Sequence, residues 1–393
     1  MFEKYFNLHC ALAFSTLICI SPFFTYGYYG FFYFFALSLT LVCFLLKMKN
    51  LKVSMVQVLL SILIVVSLLF SLMVNIENNF SSKNFFILSI PFFIIFSLIS
   101  HTERIQVVDC FVKLYSLLLA ISIFFSLALM LGLKSYIPSY LMAVEHSEFV
   151  VYGFTVVRTT LSWDFGSGLF HRFHGFFMEP GFVGTISAFV IIGYRFNLKN
   201  KYVLVSLLGG MISTSFAFYT ILTLYLLCIM PLRGVLLVCL IALALVYIDH
   251  PFTNQLIIER LIDGGDKLNN RNSIYEYQQI EIFLKILNEG DLFKILFSYG
   301  DVVPGSTGSY RYVLLSLGLL PIVLIVTFYF FIIYRDFIAL RLDFFTYEGV
   351  VINGLYVISL YQRPYVDNFY MLVLFYIINI RGGLMISKAT QNI

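Results

Sequence analysis

His171-Arg172-Phe173-His174-Gly175-Phe176-Phe177-Met178-Glu179-Pro180-Gly181-Phe182-Val183-Gly184 is the stretch on which the reading of this chain turns. It crowds two histidines, an arginine and a glutamate into a sequence that is otherwise mostly apolar, and it runs straight into the hydrophobic residues 181–196. Proline suits the first position of a helix, because its missing N–H would have no intrahelical partner there. The stretch therefore predicts a membrane helix opened by Pro180 and capped by Glu179. Its polar residues then gather at a membrane surface, beside the positive end of a helix dipole, with Gly181 and Gly184 in the first turn. Such a place suits an anion.

The composition around it says where such a helix can live. The chain has 393 residues, 60% of them hydrophobic and 12% charged. A soluble domain has no way to hide that much apolar surface, whereas a bilayer accepts it in runs of ~20 residues. The formal net charge of +4 is modest and the basic residues are scattered between apolar runs, which excludes a nucleic-acid partner. Cysteines 10, 19, 43, 110, 228 and 239 lie in or beside apolar runs, so the pattern supports neither a disulfide framework nor a cysteine metal site. The first run, about 5–24, lacks a small-x-small cleavage pattern and is followed at once by another, so it reads as a retained span.

Apolar runs fall at roughly 5–24, 26–46, 53–74, 84–100, 111–133, 181–197, 202–231, 234–248, 312–334, 345–361 and 366–381. No internal repeat is visible. Lys47, Lys49 and Lys52 make one short basic loop; Arg195, Lys199 and Lys201 make another. The positive-inside rule puts both, and the N-terminus with Lys4, in the cytoplasm. The run 202–231 exceeds one span. Read as a hairpin turning near Ser213-Thr214-Ser215, it places Arg233, Arg335, Arg341, Arg381 and Lys388 inside as well. The expected fold is all-α: a polytopic membrane protein of about twelve transmembrane helices with both termini cytoplasmic. Residues 1–133 hold the first spans, 134–180 a first external loop, 181–248 further spans, 249–311 a second external loop and 312–393 the last spans.

Within these loops some residues could carry chemistry. Arg172 offers a planar fork for phosphate oxygens. Gly175 removes a side chain where a ligand could approach, and Glu179 could accept a proton from a sugar hydroxyl. Spacing alone favours a plainer reading, a juxtamembrane Arg–Glu pair. His171 and His174 flank the arginine as possible bases or phosphate partners, or as interfacial hydrogen-bonding residues. Arg271, before Asn272 and Tyr275, could clamp a second phosphate or begin a solvated helix. Arg311, after Ser309-Tyr310, has snorkelling as its default. Arg158 is loop-borne, and Asp301 is a polar acid near the surface and an alternative base. Asp263-Gly264-Gly265-Asp266 lacks the ligand count of a calcium loop and reads as a turn. Phosphate-binding, dinucleotide and zinc-helix motifs are absent, so neither a cofactor nor a metal is expected.

Three features together resemble the O-antigen polymerases and, more distantly, the O-antigen ligases. Arg172…Gly175…Glu179-Pro180-Gly181 is similar to that family's arginine–glycine–glutamate–proline signature at the start of a span. The turn near Ser213-Thr214-Ser215 lies where relatives have a short helix pair. Arg271…Tyr275…Gly300…Gly308-Ser309-Tyr310…Leu317-Gly318-Leu319-Leu320 resembles the second external loop entering the next span. The likeness covers roughly 170–320. It departs at Ser215-Phe216-Ala217, where relatives often have Ser-Arg-Gly, and at Thr307-Gly308, where ligases place a His-Asn pair.

The resemblance implies a metal-independent glycosyltransferase in the bacterial inner membrane. Its substrates would be undecaprenyl-diphosphate-linked oligosaccharides at the outer face, and its product an O-antigen or capsular polysaccharide. Arg172, Arg271, Arg158, Arg311, Tyr275 and Tyr310 would bind the substrate or its diphosphate, with Glu179, His174 or His171 catalytic. Membrane lipid and a chain-length regulator are the expected partners. A ligase using the same chemistry and a lipid-linked sugar flippase are the rivals. The flippase is disfavoured because most charge lies at span ends and in loops rather than at a midplane site.

Overall fold

The computed structural model describes residues 7–20, 22–25, 28–47, 81–144, 147–158, 162–164, 169–171, 173–177, 179–229, 288–297, 317–362 and 368–379, with scattered positions within 55–66 and 281–285. These residues are mostly helical. Helices α1 (Leu8–Cys19), α2 (Tyr29–Lys47), α3 (Ser81–Leu98) and α4 (His101–Met130) come first, then five short strands, then α5 (Pro180–Gly193), α6 (Lys201–Ile212) and α7 (Phe216–Ile229). A short α8 (Leu292–Phe297) precedes α9 (Leu319–Ala339), α10 (Tyr347–Gln362) and α11 (Phe369–Ile378).

Three of the described helices, α2, α4 and α9, are long and apolar enough to cross a membrane. Others fall short on length. The 10 residues of α11 reach about 15 Å, half of a ~30 Å hydrocarbon core. Every residue of α11 is buried, and nearly every residue of α5. Helices apolar on all sides belong inside a bundle, and these two form its centre. Short helices are tolerated there because protein, not lipid, surrounds their ends.

Two helix boundaries carry sequence signals of different legibility. The start of α4 lies ten residues before the apolar run at 111, at His101. Ser100 and Glu103 form a capping box: the Glu103 N–H donates to Ser100 Oγ (3.3 Å) and the Ser100 N–H to Glu103 Oε2 (2.9 Å). Counting apolar residues skips these first turns because Glu103, Arg104 and Asp109 interrupt the run. The break in 202–231, by contrast, falls where the turn was expected, at Ser213-Thr214-Ser215 between α6 and α7. Thr214 takes a left-handed backbone (φ 48°), and the Ser213 hydroxyl donates to the Gly210 carbonyl (2.7 Å).

The all-α expectation needs correction in the first loop. Strands β1 (Ser139–Val144), β2 (Ser147–Tyr152) and β3 (Thr155–Arg158) form an antiparallel meander, and β4 (Ser162–Asp164) pairs with β5 (Leu169–His171) as a separate ribbon. The cause is local. The three meander strands are rich in β-branched and aromatic residues, which suit a pleated, half-buried surface. Gly153, with φ 55°, opens the two-residue turn between Tyr152 and Thr155. A side chain at 153 would overlap the Phe125 ring, so the turn lies directly on α4. Ser122 Oγ donates to the Phe154 carbonyl (2.7 Å), and Ser126 Oγ lies 3.0 Å from Thr155 Oγ1.

The bundle therefore has two chemically different ends. At one lie the meander, the α1–α2 connection, the start of α5 and the turn at 213–215. At the other, Lys47 pairs with Glu103 (2.7 Å), Arg104 with Asp336 (2.5 Å) and Arg195 with Glu348. Lys199, Lys201 and Arg335 belong to this same end through their neighbours in sequence.

Candidate functional site

The signature stretch is a buried strap rather than an open loop. Phe173, His174, Gly175, Phe176 and Phe177 are all buried, yet none is helical. Buried backbone must find partners, and here they come from both sides. The Val156 N–H of β3 donates to the Gly175 carbonyl (2.8 Å), and the Phe23 N–H of the α1–α2 connection donates to the Phe176 carbonyl (2.9 Å). Phe177 also forms an isolated bridge with Pro22. The rings of Phe176 and Phe177 pack at a tilt, centroids 4.2 Å apart, against Tyr115 of α4.

Gly175 thereby acquires a reason of its own. Its φ of 61° is left-handed, and a Cβ there would press on Val183 Cγ2 at 3.1 Å. The turn itself demands glycine, whatever ligand approaches it.

From the strap the chain enters α5 as expected: Glu179 is the N-cap, with extended backbone, and Pro180 occupies the first position. The Glu179 side chain is exposed and makes no capping bond, while its carbonyl accepts from the Phe182 N–H (3.2 Å). Further down, the Tyr115 hydroxyl donates to the Val183 carbonyl (3.1 Å) and lies 2.8 Å from Ser187 Oγ, fixing α5 against α4. A side chain at Gly184 would overlap Ser215, so the first turn of α5 and the turn between α6 and α7 touch. Two segments singled out in the sequence thus share one end of the bundle.

The candidate residues separate on this frame. Glu179 is an exposed residue at a helix N-terminus. His174 is 2% exposed and sits edge-on to the Phe149 ring of β2 at 6.1 Å, so in this conformation it faces the interior rather than a membrane surface. His171 ends β5, paired across to Ser162, and Arg158 ends β3, paired to Phe149; these are backbone placements. Arg172, Arg271, Tyr275, Tyr310 and Arg311 lie outside the described residues. Among the described residues, no group of three His, Cys, Asp or Glu side chains converges as a metal site would require.

Sequence reasoning missed Ser122 and Ser126 under the meander and Tyr115 under α5; it named Ser215 and Gly184 but not the contact between them. Hydroxyls spaced four apart in an apolar helix, as at 122 and 126, were the available signal. No family model, curated protein or solved structure matches this chain.

Proposed function

We propose that this chain is a membrane-embedded glycan polymerase that joins lipid-diphosphate-linked repeats. The observation that carries the reading is Glu179, an exposed carboxylate at the mouth of a buried helix that Pro180 opens. It stands at the bundle end that also bears the meander and the 213–215 turn. Cations cluster at the opposite end, which the positive-inside rule assigns to the cytoplasm. The Glu179 end then faces outward, and about twelve spans with both termini inside complete the topology.

In the proposed reaction, a hydroxyl on the terminal sugar of a new lipid-linked repeat attacks the anomeric carbon of the growing glycan. The new glycosidic bond forms as the bond to the lipid diphosphate breaks. Glu179 takes the hydroxyl proton. Negative charge develops on the leaving diphosphate, where Arg172 and Arg271 would stabilise it in a site of low dielectric. The lipid tails stay in the bilayer, so both substrates meet at its surface.

Arg172→Ala, Arg172→Lys and Glu179→Gln in the native host test this. Each is expected to reduce the surface polysaccharide to single repeats at unchanged protein level. Normal-length polysaccharide from both arginine variants removes the reading. In a deletion strain, loss of all surface repeats would indicate a flippase, and accumulated long unligated chains a ligase.

A further inference from the structure

We infer that the edge of the meander is itself a membrane-binding surface, seated on the phospholipid headgroups of the bilayer that α4 crosses. The inference rests on α4 spanning that bilayer, and not on the glycan chemistry.

The level of the bilayer surface can be read from α2. Tyr28, just before it, is 71% exposed, and Lys47 closes its far end. The 19 residues of α2 reach about 28 Å, close to a hydrocarbon core. Phe24, near Tyr28, packs on Phe154 (6.1 Å), and Phe154 sits in the turn that docks on Ser122. Tyr28 and the β2–β3 turn therefore stand at one height.

The segment leading into β1 returns to this height. The Gly153 N–H donates to the Pro138 carbonyl (2.9 Å), and the Lys134 ammonium lies over the Tyr152 ring at 5.6 Å. Around these anchors Tyr136 is 82% exposed, and Tyr140 and Leu141 of the edge strand are exposed too. Tyrosines with an apolar body and a wet tip belong at a membrane–water interface, as does a lysine facing lipid phosphate.

The surface is also continuous with lipid-facing protein. Leu117, Phe124 and Leu127 of α4, and Leu131 at its C-cap, are exposed at helical spacing and lead up to the β1 segment. From Phe125 to Met130 the helix climbs about 8 Å, which the headgroup layer accommodates. Beside exposed Lys134, Ser135 and Ser139, this edge exposes Tyr136, Tyr140 and Leu141, the mixture of tyrosine, lysine and apolar groups that suits a membrane–water interface. Phospholipid is the occupant that fits.

The chain has a single tryptophan, Trp163, which makes the test direct. In a Trp163→Phe background, Tyr136→Trp and, separately, Phe34→Trp on the exposed face of α2 are placed in the full-length protein. Each is reconstituted in phosphatidylcholine vesicles brominated either near the headgroup or near the chain end. Tyr136→Trp emission is expected to be roughly halved by shallow bromines and less affected by deep ones, with Phe34→Trp showing the reverse. If Phe34→Trp responds to deep bromines while Tyr136→Trp responds to neither, the edge does not touch lipid and the inference is overturned. Such shielding together with dimeric particles would hand the surface to a second copy. If Phe34→Trp escapes both lipids, the spanning premise itself fails.

Discussion

Arg104 and Asp336, 232 positions apart, meet as a two-bonded ion pair inside the bundle: Nε donates to Oδ2 at 2.8 Å and Nη2 to Oδ1 at 2.5 Å. Both side chains are 1% exposed. Arg104 also donates through Nη1 to the carbonyls of Phe96, Ser97 and Ile99, and so caps the C-terminus of α3. The Tyr376 hydroxyl donates to Asp336 Oδ2 (2.6 Å). The guanidinium thus ties α3, α4 and α9 together at the end opposite the candidate site, and its carboxylate partner brings in α11.

Removing one member of this pair should be costly. Arg104→Ala or Asp336→Asn strands a buried charge and is expected to destabilise the fold by about 3–5 kcal/mol. The double variant Arg104→Met/Asp336→Leu should lie closer to wild type, because an apolar pair of similar size avoids burying charge. Thermal unfolding in detergent, followed by exposure of buried thiols, compares the three. A double variant as unstable as the singles would contradict this account.

Helix packing supplies a second prediction. A methyl at Gly193 would overlap the Ile377 carbonyl, which is backbone and has nowhere to swing. Gly193→Ala should therefore separate the two central helices, α5 and α11, at an overpacking cost of about 1–3 kcal/mol. Gly184→Ala instead meets the Ser215 side chain. Pairing it with Ser215→Gly should recover much of the lost stability, whereas no single side-chain change rescues position 193. The same unfolding assay reads both.

Two thiols report the packing of α1 on α4. Cys10 Sγ and Cys110 Sγ lie 2.9 Å apart, both as free thiols. Mild oxidation with copper–phenanthroline should link them without moving either helix. The product would appear as a faster-migrating, reductant-sensitive species that Cys110→Ser abolishes. Absence of that species in wild type would place α1 elsewhere.

The sequence exposes part of this physics and hides the rest. Pro180 after Glu179 announced the start of α5, and a serine–threonine–serine break announced the α6–α7 turn, because backbone chemistry at a terminus is written in a few adjacent residues. Ser100 and Glu103 were equally explicit about α4, but charges inside its first turns hid them from a hydropathy reading. The meander went unread because strands of four to six residues carry weak periodicity beside long apolar runs. Burial of His174 was illegible in principle. It follows from Phe149, Pro22–Phe23 and Val156 folding over the strap, and those contacts are set by tertiary structure.

The strap yields the last prediction. Gly175 holds φ 61°, which costs an L-residue about 1–2 kcal/mol. A methyl there also presses on Val183 at 3.1 Å. Gly175→Ala should thus loosen the strap between β3 and the α1–α2 connection and shift the entry to α5, where Glu179 stands. The expected result is shortened glycan with protein level only modestly reduced. Adding Val183→Ala relieves the contact but leaves the backbone strain, so the rescue should be partial. Full rescue would show that side-chain crowding alone governs position 175; no loss of glycan length from Gly175→Ala would show that the strap does not set the geometry at Glu179.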